Sequence, residues 1–171
     1  MNTLVAGIGN IFLGDDAFGV EVIRRMPRTQ LPENVKVIDF GIRGFDLAYS
    51  LMDESYDLII LVDAVTKGGT PGTLYVIEPS LEQHIDVEGP GEAMDAHGMN
   101  PMRVFNLVKK MGGRFKRILI LGCEPETLGP EEGLMGLSQP VDHAVDEAVL
   151  MLGRVLVELD PGDVLIKTGT E

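Results

Sequence analysis

Two adjacent aspartates, Asp15 and Asp16, stand just before a helical pattern near the start of the sequence. They follow the turn "GIGN" at 7–10, which is reminiscent of a nucleotide-binding glycine loop. A dinucleotide fingerprint needs a third glycine where Phe12 stands, and no Gly-Lys-Ser/Thr follows for a P-loop. The glycines therefore indicate a backbone turn. Helix capping needs one aspartate and leaves the other free, although capping and solvation together would also account for both.

Asp63 and His97 are further candidates for chemistry. Asp63 closes the apolar run "LIILV" at 58–62, where an unpaired charge is costly, and His97 stands in the polar loop "DAHGMNP". In open α/β sheets, ligands bind beyond the carboxyl ends of the strands. Asp16, Asp63 and His97 together could form an oxygen/oxygen/nitrogen metal site with a catalytic role. The alternatives are a helix cap or turn at Asp63 and an incidental histidine.

The stretch "GIRG" at 41–44 places an arginine between two glycines after the second apolar run. Arg43 could contact the backbone or a carboxylate of a substrate, although a solvated loop arginine explains it equally well. Gly41 and Gly44 on either side would let the substrate approach closely. We expect these three residues to bind substrate.

Two motifs that mark common catalytic sites are missing. The sequence has no HExxH pair and no G-x-S-x-G elbow. Its single cysteine, Cys123, ends an apolar run and is more typical of a small core residue than of a nucleophile. Two possibilities remain open. A divalent ion could polarise a substrate carbonyl or supply hydroxide, or it could only dock the substrate while a carboxylate activates water.

The elements that must position these residues form an α/β pattern. Short apolar runs alternate with helical patterns, which predicts a single three-layer domain with a twisted, mostly parallel sheet of about five strands and helices on both faces. About ten residues, 63–72, separate the third and fourth runs, too few for a parallel crossover. We therefore expect an antiparallel fourth strand. The predicted domain covers 1–160, and 161–171 form a C-terminal tail. The runs are Leu4–Ala6, Val35–Ile38, Leu58–Val62, Leu74–Ile77 and Ile118–Leu121.

The net charge of −13 narrows the choice of partners. It argues against nucleic acid and against anionic membrane surfaces, which both need a basic face. The apolar runs are too short to cross a bilayer, and no signal peptide is evident. Since a single cysteine also fits a reducing compartment, we expect a cytoplasmic protein.

Five stretches in order give a specific resemblance. The sequence resembles the endopeptidases that mature the large subunit of nickel–iron hydrogenases. The stretches are "GIGNIFLGDDAFGV" at 7–20, "DFGIRGFDL" at 39–47, "LVDAVTKGGTPGT" at 61–73, "DAHGMNP" at 95–101 and "LGCEPE" at 121–126.

This resemblance implies an activity and a metal. The family removes a C-terminal extension from the large-subunit precursor after nickel insertion, so the implied partner is that precursor and the nickel arrives with it. The nickel-recognising residues of the family fall on Asp16, Asp63 and His97, and some relatives carry glutamate at the first of these places. The resemblance implies that the isolated protein holds no tightly bound metal. A non-catalytic, metal-dependent chaperone for a nickel-bearing partner is the alternative.

Overall fold

The computed structural model describes residues 1–28, 31–79, 101–130 and 132–158. Five strands form one sheet in the order β2-β1-β3-β5-β4. All pairs are parallel except β4 with β5, which is antiparallel at the sheet edge. The strands are β1 (Thr3–Ile8), β2 (Val35–Gly41), β3 (Tyr56–Ala64), β4 (Leu74–Ile77) and β5 (Phe115–Cys123).

Helices cover both faces of this sheet. One face is packed by α1 (Phe18–Arg25) and α4 (Gln139–Glu158), and the other by α2 (Gly44–Asp53) and α3 (Pro101–Lys110). A short 3-10 helix, Gly14–Ala17, leads into α1. The predicted three-layer α/β domain, with a mostly parallel sheet and an antiparallel fourth strand, is thereby confirmed.

The apolar runs are strands buried on both faces. Along β3, Leu58, Ile60 and Val62 pack under α1 and α4. Ile59 and Leu61 point the other way, into the core beneath α2 and α3. Side chains of a strand alternate between faces, so a continuous apolar run fits a central strand covered by helices on both sides.

Several of the predicted strands are shorter than the strands in the structure. β3 continues to Ala64, so Asp63 lies within the strand and not after it. The predicted domain limit at 160 and the tail 161–171 fall outside the described residues and stay predictions. Within the part of the chain that the structure describes, none of the helices combines the length and apolar character that a membrane crossing needs.

Candidate active site

Two glycines, one in the turn after β1 and one in α1, let this part of the chain pack directly on the sheet. A Cβ atom on Gly19 would lie 2.0 Å from the carbonyl oxygen of Val62. A Cβ atom on Gly9, which has a φ of 137°, would lie 1.8 Å from the Asp16 carbonyl oxygen. Neither position can hold a side chain. The glycine turn therefore serves backbone packing, as the sequence predicts, and fixes Asp16 over the end of β1.

Asp16 presents a partly buried carboxylate at this edge of the sheet. The Asn10 backbone N–H donates a hydrogen bond of 2.7 Å to its Oδ2. Burial raises the pKa of Asp16, and the hydrogen bond from Asn10 opposes that shift. Among the described hydrogen bonds, none ends on Oδ1 of Asp16. The carboxylate can therefore still bind a cation or a proton.

Asp63 lies one residue before the end of β3 and is paired with Gly122 of β5. Burial raises the pKa of Asp63 to about 8, and the negative charge of nearby Asp16 is the second cause. The charge of Asp16, in the 3-10 helix after β1, therefore acts on Asp63 near the end of β3. A cation held by both would remove their repulsion and displace the proton from Asp63.

Asp16 and Asp63 are near enough for the charge of one to raise the pKa of the other. His97 falls outside the described residues, so the binding of one metal ion by all three residues stays a prediction. Among the described ranges, no group of three potential ligands from His, Cys, Asp and Glu is assembled. The carboxylate pair supplies oxygen donors that suit a divalent ion but needs another ligand to hold it tightly.

Asp15 has a different function from its neighbour. It is fully buried and accepts hydrogen bonds from Glu126 N (2.8 Å), Thr127 N (3.0 Å), and Ser138 N (2.7 Å) and Oγ (2.9 Å). Neither aspartate caps a helix with its side chain, so the capping interpretation is wrong. Asp15 instead anchors the segment between β5 and α4 beside Asp16.

Glu124 anchors the loop that follows Asp63, a role that the sequence analysis missed. Its buried carboxylate accepts hydrogen bonds from Lys67 N at 2.8 Å, Gly68 N at 3.1 Å and the Tyr75 hydroxyl at 2.8 Å. Desolvation raises the pKa of Glu124, but these hydrogen bonds outweigh it and leave the pKa below its ordinary value. A charge directly after an apolar run was the available signal, as at Asp63.

Arg43 makes its described contacts within its own turn. Its Nε donates to Phe40 O at 3.1 Å, and its guanidinium also donates to Asp39 O. An ion pair of 3.4 Å joins it to Asp46 on the next turn of α2. The side chain is largely exposed, so these contacts leave it accessible. Its contact with a substrate peptide stays a prediction.

Gly41 and Gly44 have backbone roles on either side of Arg43. Gly41 has a φ of 54°, a conformation that favours glycine, and its carbonyl accepts a 3.0 Å hydrogen bond from Gly9 N. This bond joins the end of β2 to the turn that precedes Asp16. Gly44 is buried at the start of α2. Close approach of a peptide at these glycines stays a prediction.

Comparison with known proteins identifies the family. The HycI family of hydrogenase maturation proteases matches residues 20–154. The chain belongs to this family. HupD of Rhodobacter capsulatus, a hydrogenase expression/formation protein, is 32% identical to this protease over 162 residues, which is 93% of this chain and 75% of HupD. The hydrogenase 2 maturation protease of Escherichia coli is 28% identical over 171 residues, covering 96% of this chain and 99% of that protein.

A solved structure of the family has the same fold as this protease. The maturating endopeptidase HybD from Escherichia coli aligns with a TM-score of 0.72 and 26% sequence identity. The alignment covers 93% of this chain and 94% of HybD. The family and the protease activity implied by the resemblance are thereby confirmed.

Cys123 of the protease is unsuited to nucleophilic attack. It is fully buried at the end of β5, and its thiol lies 3.7 Å from the carbonyl oxygen of Glu124. Burial raises the pKa of Cys123 to about 12, with further contributions from the charges of Asp15 and Glu124. Since the thiolate is the reactive form, this thiol is inert at neutral pH, in agreement with the core role predicted for it.

The raised pKa of Asp63 predicts a pH-dependent stability of the metal-free protease. Between its ordinary pKa of 3.8 and about 8, folded Asp63 holds a proton that the unfolded chain has released. Its contribution to the free energy of unfolding should therefore fall as the pH rises through this window. Denaturant unfolding of the wild type and Asp63→Asn at pH 5 and pH 8.5 tests this. Relative to the wild type, the variant should be more stable at pH 8.5 than at pH 5. A difference in the free energy of unfolding that is the same at both pH values would contradict the prediction.

Proposed function

We propose that this protease removes the C-terminal extension of a nickel–iron hydrogenase large-subunit precursor after nickel has been inserted. The observation that carries the proposal is the carboxylate pair formed by Asp16, in the 3-10 helix after β1, and Asp63, near the end of β3, where the charge of Asp16 helps to raise the pKa of Asp63. An acidic pair that repels itself when empty is a good receptor for a cation brought by a substrate. The names of the related proteases, which refer to hydrogenase maturation, support this choice.

The pair can contribute to hydrolysis in two ways. Both carboxylates can bind the nickel of the precursor, with His97 as the expected third ligand, and so hold the scissile bond beside the site. Alternatively, where the nickel is held without Asp63, this carboxyl group, with a pKa of about 8, can exchange a proton near neutral pH, as a group that activates water must. The metal could either polarise the scissile carbonyl or only dock the precursor. We place this reaction in the cytoplasm, as the single cysteine favours.

An intact-mass measurement separates the protease from a chaperone. The purified protein is mixed with the nickel-loaded precursor, and the mass of the precursor is followed over time. Loss of a C-terminal peptide is the expected result. A stable complex that contains the uncut precursor would overturn the proposal in favour of metal-dependent binding without cleavage.

Replacement of Cys123 tests the nature of the nucleophile. Cys123→Ser should retain precursor cleavage, because the buried thiol has a pKa of about 12 and water is the expected nucleophile. Cys123→Ala is the matched variant without a hydroxyl, and circular dichroism confirms the fold of both. Loss of cleavage in both folded variants would contradict a water nucleophile.

A further inference from the structure

Four apolar side chains are exposed beside the candidate active site. Phe12 is 56% exposed, Leu128 45%, Leu134 41% and Met135 70%. We call these four residues the apolar rim. Single exposed apolar residues are common on proteins, but a group of them on two adjoining loops is typical of an interaction surface.

Backbone contacts hold the two loops of the apolar rim together. Leu134 N donates a hydrogen bond of 2.8 Å to Phe12 O, and Gly14 N donates one of 2.7 Å to Leu134 O. Leu134 also lies against Gly129. A Cβ atom added to Gly129 would lie 3.1 Å from the Cβ atom of Leu134. Phe12, Leu134 and the chain next to Leu128 therefore form one continuous surface.

This surface is continuous with the carboxylate pair. Phe12 N donates to the side chain of Asn10 at 3.0 Å, and Asn10 N in turn donates to the carboxylate of Asp16. On the other side, the Asp15 carboxylate accepts hydrogen bonds from residues 126, 127 and 138. These bonds hold the segment that carries Leu128, Leu134 and Met135. The rim is thus fixed relative to Asp16 before any substrate binds.

We propose that the apolar rim binds an apolar segment of the hydrogenase large-subunit precursor that flanks the scissile bond; this rests on the proposed function. A protein whose metal reaches Asp16 must lie over the adjoining loops. Burial of the four exposed apolar side chains beneath the bound precursor would then add affinity. A rim that is already ordered loses little conformational entropy when it binds.

A pair of matched methionines tests the proposal. Met135 is 70% exposed on the rim, and Met111 is 62% exposed directly after α3. Met111 lies near the amino end of β5, whereas Asp63 is paired with the carboxyl end of that strand, so the two are at opposite ends of the sheet. Met135→Glu should raise the KM for nickel-loaded precursor roughly tenfold with kcat little changed, since loss of one apolar anchor commonly costs about that much. Met111→Glu should leave both constants unchanged.

The same variants are also compared in binding to immobilised nickel-loaded precursor. An unchanged KM and an unchanged Kd in Met135→Glu, or an equal loss in Met111→Glu, would overturn the role of the rim. A loss of kcat at unchanged KM would overturn it as well, because the substitution would then act on the chemistry. If the wild type binds the precursor without cutting it, the proposed function fails, whereas weaker binding by Met135→Glu would still support the rim.

Discussion

Replacing Asp63 by asparagine is expected to lower the rate of precursor cleavage at least about a hundredfold, which is the usual contribution of a positioned acid–base group. The substitution preserves the shape of the side chain but removes the charge that binds a cation and the site that exchanges a proton. It also removes the electrostatic repulsion between Asp16 and Asp63. Cleavage of nickel-loaded precursor, followed by mass, measures the effect.

The fold of Asp63→Asn should remain intact, because asparagine has nearly the shape of the carboxyl group and carries no charge to bury. Its denaturation midpoint at pH 8.5 should equal or exceed that of the wild type. Asp53→Asn is the matched control, since Asp53 is exposed at the end of α2 and should tolerate the change without loss of activity. Cleavage by Asp63→Asn at the rate of the wild type would exclude Asp63 from the mechanism.

Replacing Asp15 by alanine is expected to destabilise the protein strongly. The substitution removes a fully buried carboxylate and leaves three backbone N–H groups and the Ser138 hydroxyl without their acceptor. Because hydrogen bonds to charged groups are worth about 1.5–3 kcal/mol each and do not add fully, the loss should be on the order of 3–5 kcal/mol. Thermal unfolding should then occur roughly 10 °C lower.

Asp16→Ala is the matched control for Asp15→Ala. Asp16 is only partly buried and accepts one described hydrogen bond, from Asn10 N, while its burial raises its pKa. Its removal should leave the melting temperature within a few degrees but abolish cleavage. Equal melting temperatures for Asp15→Ala and the wild type would show that Asp15 does not anchor the segment before α4.

The sequence predicted the sheet because local patterns determine it. The run "LIILV" at 58–62 is apolar at every position because β3 is covered by helices on both faces. The short connection 63–72 was sufficient to predict that β4 is antiparallel. Placement of Asp63 near Asp16 followed from the same topology, because the carboxyl ends of parallel strands share one edge.

The buried anchors were not predicted because their partners are distant in sequence. Asp15 binds Ser138, 123 residues away, and Glu124 binds the N–H of Lys67, 57 residues away. No local pattern distinguishes Asp15, which binds the backbone, from Asp16, whose charge helps to raise the pKa of Asp63. What distinguishes them is the tertiary packing of the segment between β5 and α4, which covers Asp15 completely.

The central claim is that Asp16 and Asp63 recognise the metal that the precursor carries. The most direct test compares the cleavage rates of nickel-loaded and nickel-free precursor by the wild-type protease, each followed by the mass of the large subunit. The predicted result is removal of the C-terminal peptide from the nickel-loaded precursor and an intact mass for the nickel-free one. Cleavage of both precursors at the same rate would contradict the claim.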